Sequence, residues 1–159
     1  MNNRKRGFSL VELLIVLAVI AALIATITPV ALNAIQKAKA TQVAQNLKTL
    51  ASAFENKAYV EGATGISGLN NLKDLARDVN DKYELYYTAT GGVYTAVVLY
   101  NEADVNTEKV IEALANATTG TTAVTTSWKK ATTSGVASVS DTSIGAANKV
   151  KYEFSFRIY

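Results

Sequence analysis

A single carboxylate, Glu12, interrupts an otherwise apolar run from Phe8 to Thr28. As a helix this run covers roughly 30 Å, the thickness of the hydrocarbon core of a bilayer. An ionised carboxylate in such a helix is costly in lipid and by default marks a functional site that has a partner. Nothing inside the apolar run can be that partner. The sequence therefore indicates either a charge pair with a group outside the run or a carboxylate that lies near the lipid headgroups.

A short basic leader, MNNRKRG, precedes the apolar run and leaves two ordinary interpretations open. A secretory signal needs a shorter apolar core and a small-residue cleavage site after it, whereas here the chain continues as TPVALNAIQKAKATQ. A single-span anchor explains the length of the run and the basic residues on the cytoplasmic side. It explains neither Glu12 nor the abrupt junction between Gly7 and Phe8. Both interpretations therefore stand as alternatives to a more specific one.

The ordered segment RGFSLVELLIVLAVIAALIATITP resembles the N-terminal region of the type IV pilin family, which includes the pseudopilins of type II secretion. The resemblance implies that a membrane-embedded prepilin peptidase cuts between Gly7 and Phe8 and that the new N-terminal phenylalanine is methylated. It divides the chain into a leader, a hydrophobic transmembrane and filament-core helix, and a globular head that includes the amphipathic half of the helix. These three parts are residues 1–7, 8–33 and 34–159.

Cleavage at this junction would supply the missing partner for Glu12. It would create an α-amino group on Phe8, which can carry a positive charge inside the apolar layer. Phe8 and Glu12 stand four residues apart on one helix face, but the resemblance implies that Glu12 pairs with the Phe8 amine of a neighbouring subunit. Because an unmatched buried charge costs on the order of several kcal/mol, this pairing would set the register of assembly.

Pro29 ends the most apolar stretch and would remove one backbone hydrogen bond from a helix. We expect a kink or local unwinding there, with a simple bend as the alternative. The resemblance implies that residues 21–30 can lose helical structure when the subunit packs into a filament. This segment lacks glycine and is rich in alanine, which opposes such melting.

The helical period continues after Pro29 as an amphipathic pattern. An apolar stripe of Val43, Leu47, Leu50 and Phe54 has the spacing of a helix face that packs on its own domain. We expect the helix to end near Tyr59, because Gly62 and Gly65 supply a stop and a loop.

The remaining residues form one small domain with alternating strand and helix signals. The predicted architecture is α+β: a ladle-shaped subunit with a protruding N-terminal helix and an antiparallel sheet over the second half of that helix. Its predicted elements are a short helix or helical turn in LNNLKDLARDV, a hairpin that turns at Gly91 and Gly92, a short helix in DVNTEKVIEALANA, weak strands with exposed loops from Thr118 to Gly145, and a last strand KYEFSFRIY that packs on the long helix.

Composition favours an exported structural subunit over an enzyme. The chain has no histidine and no cysteine, so it lacks the commonest general base, a common metal ligand and thiol chemistry. No nucleophile or phosphate-binding motif is present, and Asp74, Asp78, Asp81 and Asp104 lack the spacing of a calcium loop. We expect no catalytic residue, no cofactor and no metal site. Many pilins fasten the head with a disulfide, and this chain departs from that pattern.

The net charge of +3 overstates the basicity of a processed chain, because Arg4, Lys5 and Arg6 all lie in the leader. Without them the chain is close to neutral. Nucleic-acid binding by a strongly basic face is therefore unsupported.

The function that these patterns predict is mechanical. The chain is interpreted as a subunit of a homopolymeric type IV pilus that serves adhesion, surface motility or DNA uptake. Its partners would be the prepilin peptidase, the inner-membrane assembly machinery and the membrane itself before assembly; its final location would be the cell surface. The alternative within the family is a pseudopilin of a periplasmic type II secretion pseudopilus. Outside the family, a lone membrane-anchored binding domain is the alternative.

Overall fold

A computed structural model describes residues 7–159. The chain divides into two units, Met1–Gln36 and Lys37–Tyr159. The predicted α+β architecture is confirmed as a long N-terminal helix and a six-stranded antiparallel sheet, which is a pilin-like arrangement. The helices are α1 (Leu10–Ser67) and α2 (Thr107–Ala113), with one 3₁₀ turn at Leu72–Asp74 between them. The strands are β1 (Tyr83–Thr90), β2 (Val93–Tyr100), β3 (Ala117–Ala123), β4 (Lys129–Ala131), β5 (Val136–Ser138) and β6 (Ser143–Arg157).

Helix α1 extends beyond its predicted end near Tyr59 and continues to Ser67. Within it, Gly62 is the residue with non-helical backbone angles, φ 65° and ψ −159°. Glycine adopts a positive φ without steric cost, so the helix kinks at Gly62 and then resumes. Gly65, which was predicted to lie in a loop, is instead buried in the resumed helix. The prediction that the helix ends near Tyr59 is therefore wrong, although Gly62 does interrupt the helix.

The head is built on the predicted apolar stripe of α1. Val43, Leu47, Leu50 and Phe54 are all buried, as the helical spacing predicted. Phe54 lies at the centre, with its ring centroid 5.1 Å from that of Tyr87 and 6.0 Å from that of Phe156. Because Phe156 belongs to β6, the prediction that the last strand packs on the helix is confirmed within the head.

The sheet has the order β3-β6-β2-β1-β4-β5, and every neighbouring pair is antiparallel. Its central hairpin joins β1 to β2 through Gly91 (φ 59°) and Gly92 (φ 80°), as predicted. Two successive positive φ angles are those of a type I′ turn, whose twist matches that of the strands it joins. Strand β6 lies between β2 and β3 and begins earlier than predicted, at Ser143 instead of Lys151.

The other predicted elements of the head are short. The LNNLKDLARDV segment forms a single 3₁₀ turn, in which Asn71 and Asp74 cap each other reciprocally. The predicted second helix is confirmed as α2, with Asn106 as its N-cap. The threonine-rich region contains β3, β4 and β5, which confirms the expectation of weak strands separated by loops.

The two faces of the sheet bury different clusters. The face that packs on α1 carries Tyr83, Leu85 and Tyr87 of β1. The opposite face has its own small apolar cluster, covered by the loops of the threonine-rich region: Tyr86, Val97, Leu99, Val124, Trp128, Val139 and Ile144. Glu84 and Lys151 are the buried charged residues of the part of the chain that the structure describes. The alternation of residues along the strands places both on this second face.

Candidate functional site

The predicted cleavage junction precedes the first helical residue. Gly7, Phe8 and Ser9 have no regular secondary structure, and α1 begins at Leu10. All three residues are exposed, and Phe8 keeps 86% of its surface accessible. A peptidase needs to reach the backbone on both sides of the bond, and exposed non-helical segments are the preferred places for chain cleavage. The junction therefore has an accessible conformation in the uncleaved chain.

Glu12 and Ser9 form a capping box at the start of α1. The Ser9 backbone N–H donates to Glu12 Oε2 at 2.8 Å, and the Glu12 backbone N–H donates to Ser9 Oγ at 3.2 Å. This reciprocal arrangement satisfies two amide groups that the first helical turn would otherwise leave without acceptors. Ser9 was not singled out from the sequence, although the pattern Ser-x-x-Glu before an apolar run is the signature of a capping box.

The capping box bears on the proposed role of Glu12. One carboxylate oxygen is engaged by the amide of Ser9, which is the residue next to Phe8. A carboxylate has two oxygens and can accept further donors. Glu12 can therefore cap its own helix and still accept a hydrogen bond from an ammonium group. The two roles make different demands, because capping requires only an acceptor whereas pairing with an ammonium requires a negative charge.

The first part of α1 presents an apolar surface that is exposed in the structure of residues 7–159. Every residue from 7 to 38 is exposed. By length and composition, α1 contains a segment apolar enough to cross a membrane. A contiguous exposed apolar surface of this kind marks contact with lipid or with another protein. Its large side chains are Phe8, Leu10, Val11, Leu13, Leu14, Ile15, Val16, Leu17, Val19, Ile20, Leu23, Ile24, Ile27, Val30, Leu32 and Ile35.

Pro29 lies within α1, and the helix continues through it. The unwinding expected from the sequence is not seen in the subunit. Two threonine hydroxyls close to Pro29 donate to helix carbonyls, Thr26 to Leu23 O at 2.9 Å and Thr28 to Ile24 O at 2.7 Å. Such side-chain bonds compete with the backbone ladder and often bend helices. Loss of helix around Pro29 on assembly stays a prediction.

The head contains a separate cluster of charges around Asp104, in the loop before α2. Its Oδ2 lies 2.8 Å from Lys39 Nζ and 3.1 Å from Lys82 Nζ, and Tyr100 donates its hydroxyl to Oδ1 at 2.7 Å. The hydrogen bond from Lys39, followed by that from Tyr100, holds the pKa of Asp104 well below its usual range. This cluster fastens the loop to α1 and β2. Among residues 7–159, no three histidines, cysteines or carboxylates come together as a metal site.

Comparison with known families identifies the N-terminal segment. Residues 2–28 match the family model of the prokaryotic N-terminal methylation motif. The matched range contains Gly7, Phe8 and Glu12 and ends one residue before Pro29. The resemblance found in the sequence is thereby confirmed: the chain carries a class III prepilin signal followed by a long apolar helix. Comparison with curated proteins and with solved structures gave no match.

This motif, over residues 2–28, bears on the class of the protein and on its maturation. It indicates a type IV pilin or a pseudopilin, both of which are structural subunits and generally not enzymes. It implies processing by a prepilin peptidase and assembly into a pilus-type filament. The motif and the apolar helix together indicate a membrane-anchored precursor and a filament that is either periplasmic or on the surface.

Proposed function

We propose that this protein is the structural subunit of a type IV pilus on the cell surface. The prepilin peptidase cuts the precursor between Gly7 and Phe8, and the Phe8 amine is then methylated. The mature subunits pack residues 8–33 into the centre of a helical homopolymer and carry residues 34–159 outside as heads. The observation that carries the proposal is the methylation motif on a helix whose apolar surface is exposed from Phe8 to Ala38.

The exposed apolar surface supports assembly through α1. In the precursor, lipid can cover this surface, because the helix has the length and composition of a membrane span. In a filament, the same surface can be covered by the helices of neighbouring copies. Both environments remove the apolar side chains from water, so a subunit can pass from one to the other without exposing them.

The accessible junction and the capping box support the order of events. The junction lies outside the helix, where a peptidase can bind it in extended form. Cleavage leaves the Phe8 amine one residue from the Ser9 amide that Glu12 already accepts. Within a filament, Glu12 then accepts the Phe8 amine of a neighbouring copy, which neutralises two charges in an apolar interior. A subunit that docked out of register would leave both charges unmatched.

The threonine-rich part of the head supports a surface location over a periplasmic one. Strand β3 is at one edge of the sheet, and the loop after it exposes Thr125, Thr126 and Ser127 to solvent. Small hydroxyl side chains suit a surface in contact with the medium. Many weak head contacts along one polymer give strong attachment through avidity, which suits adhesion, surface motility or DNA uptake.

Mass spectrometry of the N-terminus tests this proposal. Filaments sheared from cells should contain a chain that begins at N-methylated Phe8, and the envelope fraction should contain much less of it. The same mature chain confined to the envelope would contradict the proposal of a main surface subunit and would favour a pseudopilin or a minor subunit. A chain that still begins at Met1 in every fraction would contradict the cleavage itself.

A further inference from the structure

Three polar residues on neighbouring strands lie together on the second face of the sheet. Asn101 follows the last residue of β2, Lys149 lies in β6, and Glu84 lies in β1. Tyr100 pairs with Val150 across β2 and β6, so Asn101 and Lys149 are the next facing positions in this antiparallel ladder. Glu84 pairs with Leu99, two residues before Asn101, and is therefore the diagonal neighbour of Asn101 on the same face.

Hydrogen bonds connect these side chains in series, from Lys149 through Asn101 to Glu84. Lys149 Nζ donates to Asn101 Oδ1 at 2.5 Å, and Asn101 Nδ2 donates to Glu84 Oε1 at 3.2 Å. Because a C=O bond is about 1.2 Å long, the Lys149 amine lies at most about 3.7 Å from Asn101 Cγ. That is close to the separation of a nucleophile and a carbonyl carbon about to react.

The Glu84 carboxyl group is held in a buried position by two side chains. Its side chain is 10% exposed, and Lys130 Nζ lies 2.8 Å from its Oε1. The Tyr86 hydroxyl donates to Oε2 at 2.7 Å. The Asn101 backbone is also fixed, since its N–H donates to Lys82 O at 2.7 Å. The carboxylate therefore has a set orientation toward Asn101 Nδ2.

We propose that Lys149 and Asn101 form an intramolecular isopeptide bond, and that Glu84 is the catalytic residue of this single-turnover reaction. The Lys149 ammonium gives one proton to water, and the resulting amine attacks Asn101 Cγ, so that the Nζ–Cγ bond forms. Both nitrogens are then bonded to the same carbon, next to the Glu84 carboxylate, which takes a proton from Nζ and delivers it to Nδ2. The Cγ–Nδ2 bond breaks and ammonia leaves. The balance is amine plus carboxamide giving a secondary amide plus ammonia, with no oxidant or cofactor.

Such a bond would join β2 to the C-terminal strand β6 across 48 residues of sequence. A chain without cysteine cannot make a disulfide there. The new amide would keep the middle of β6 attached to the end of β2 when the head is pulled or heated. This consequence does not depend on whether the protein forms a pilus or a pseudopilus.

The intact mass of the full chain, extracted in detergent, tests the proposal. The mass should be lower, by one molecule of ammonia, than the mass calculated for the chain with the N-terminus that the same spectrum identifies. After trypsin, the peptides Tyr83–Lys109 and Ala131–Lys151 should be recovered as one branched species, because acylated Lys149 is no longer a cleavage site. If the parent protein has the calculated mass, without the loss of ammonia, and trypsin cleaves after Lys149, the proposal is wrong.

Substitutions separate this bond from other losses of ammonia. Lys149→Arg keeps a hydrogen-bond donor beside Asn101 but cannot form this amide, and Glu84→Gln removes the proton carrier. Each variant should have the mass calculated for its own sequence, with no loss of ammonia. Lys129→Arg, which changes an exposed lysine on β4, should keep the mass deficit. A deficit that persists in Lys149→Arg would show a different reaction and would contradict the assignment.

Discussion

The two units of this chain use apolar residues in opposite ways. Along residues 7–38 every position of α1 is exposed, whereas further along the same helix Leu47, Leu50 and Phe54 are almost completely buried. In the head, the apolar side chains of α1 are buried against the sheet. The N-terminal segment keeps its apolar surface for lipid and, on our proposal, for other copies of the chain. A change in one region should therefore affect assembly alone, and a change in the other should affect folding alone.

The largest expected effect is on assembly, from removing the charge of Glu12. Glu12→Ala and Glu12→Gln should each reduce sheared filaments by at least about tenfold, since an unmatched amine in an apolar interior costs several kcal/mol. Glutamine at this position can still complete the capping box, so Glu12→Gln isolates the charge. Filament yield by immunoblot measures the effect.

The matched control for Glu12 is Ser9→Ala. This change removes the hydroxyl that accepts the Glu12 N–H but leaves the carboxylate in place. Filaments should form in nearly normal amounts. Normal assembly of Glu12→Gln together with poor assembly of Ser9→Ala would reverse our assignment and make helix capping the function of Glu12.

The next largest effect concerns the head core. Phe54→Ala should lower the free energy of unfolding of the head by about 3–5 kcal/mol, because the side chain is fully buried among aromatic rings. The fluorescence of Trp128, the single tryptophan, follows unfolding of the detergent-solubilised chain. Phe8→Ala removes the same atoms at an exposed position and should change head stability by less than about 0.5 kcal/mol. Equal losses in both variants would end the distinction between the two regions.

A smaller effect is expected from the cap of α2. Asn106 Oδ1 accepts the backbone N–H of Lys109 at 3.1 Å, so Asn106→Ala should destabilise the head by about 1 kcal/mol. Ser9→Ala, which removes the cap of α1, should leave the same unfolding curve unchanged. A head destabilised by Ser9→Ala would mean that the N-terminal segment contributes to its folding.

The smallest effect should depend on pH. Asp104 has a lowered pKa in the folded head, so its contribution is present above the pKa of the unfolded carboxyl, about 3.9, and is lost as pH falls below it. Asp104→Asn should be less stable than the parent at pH 7, by at most about 1 kcal/mol because the group is partly exposed. The gap should close in acid. Asp78→Asn, at an exposed position, should show no such gap; a gap that widens in acid would contradict the ion-pair account.

The fold was largely predictable where the pattern is local. The hairpin at Gly91 and Gly92 and the stripe through Phe54 are each specified by a few adjacent residues. The end of α1 was not, because Gly62 marks a kink and the chain beyond it is held helical by its surroundings. The early start of β6 depends on its pairing with β3, and no local sequence pattern predicts this pairing.

The candidate site divides in the same way. Gly7, Phe8 and Glu12 could be predicted as candidates because the basic leader and the apolar run form one contiguous signal, which the match over residues 2–28 supports. The capping role of Ser9 could also have been predicted, because Ser9 and Glu12 have the spacing of a capping box. The cluster of Glu84, Asn101 and Lys149 could not be predicted from the sequence, because it depends on the order and register of three strands.

A reconstruction of the native filament at side-chain resolution tests the central claim most directly. The account predicts chains that begin at Phe8, with residues 8–33 in the filament centre, the heads outside, and each Glu12 carboxylate within ion-pair distance of a neighbour's Phe8 amine. It also predicts loss of helix within residues 21–30. A filament held together by the heads, with the apolar helix away from other copies or Glu12 away from every amine, would contradict it.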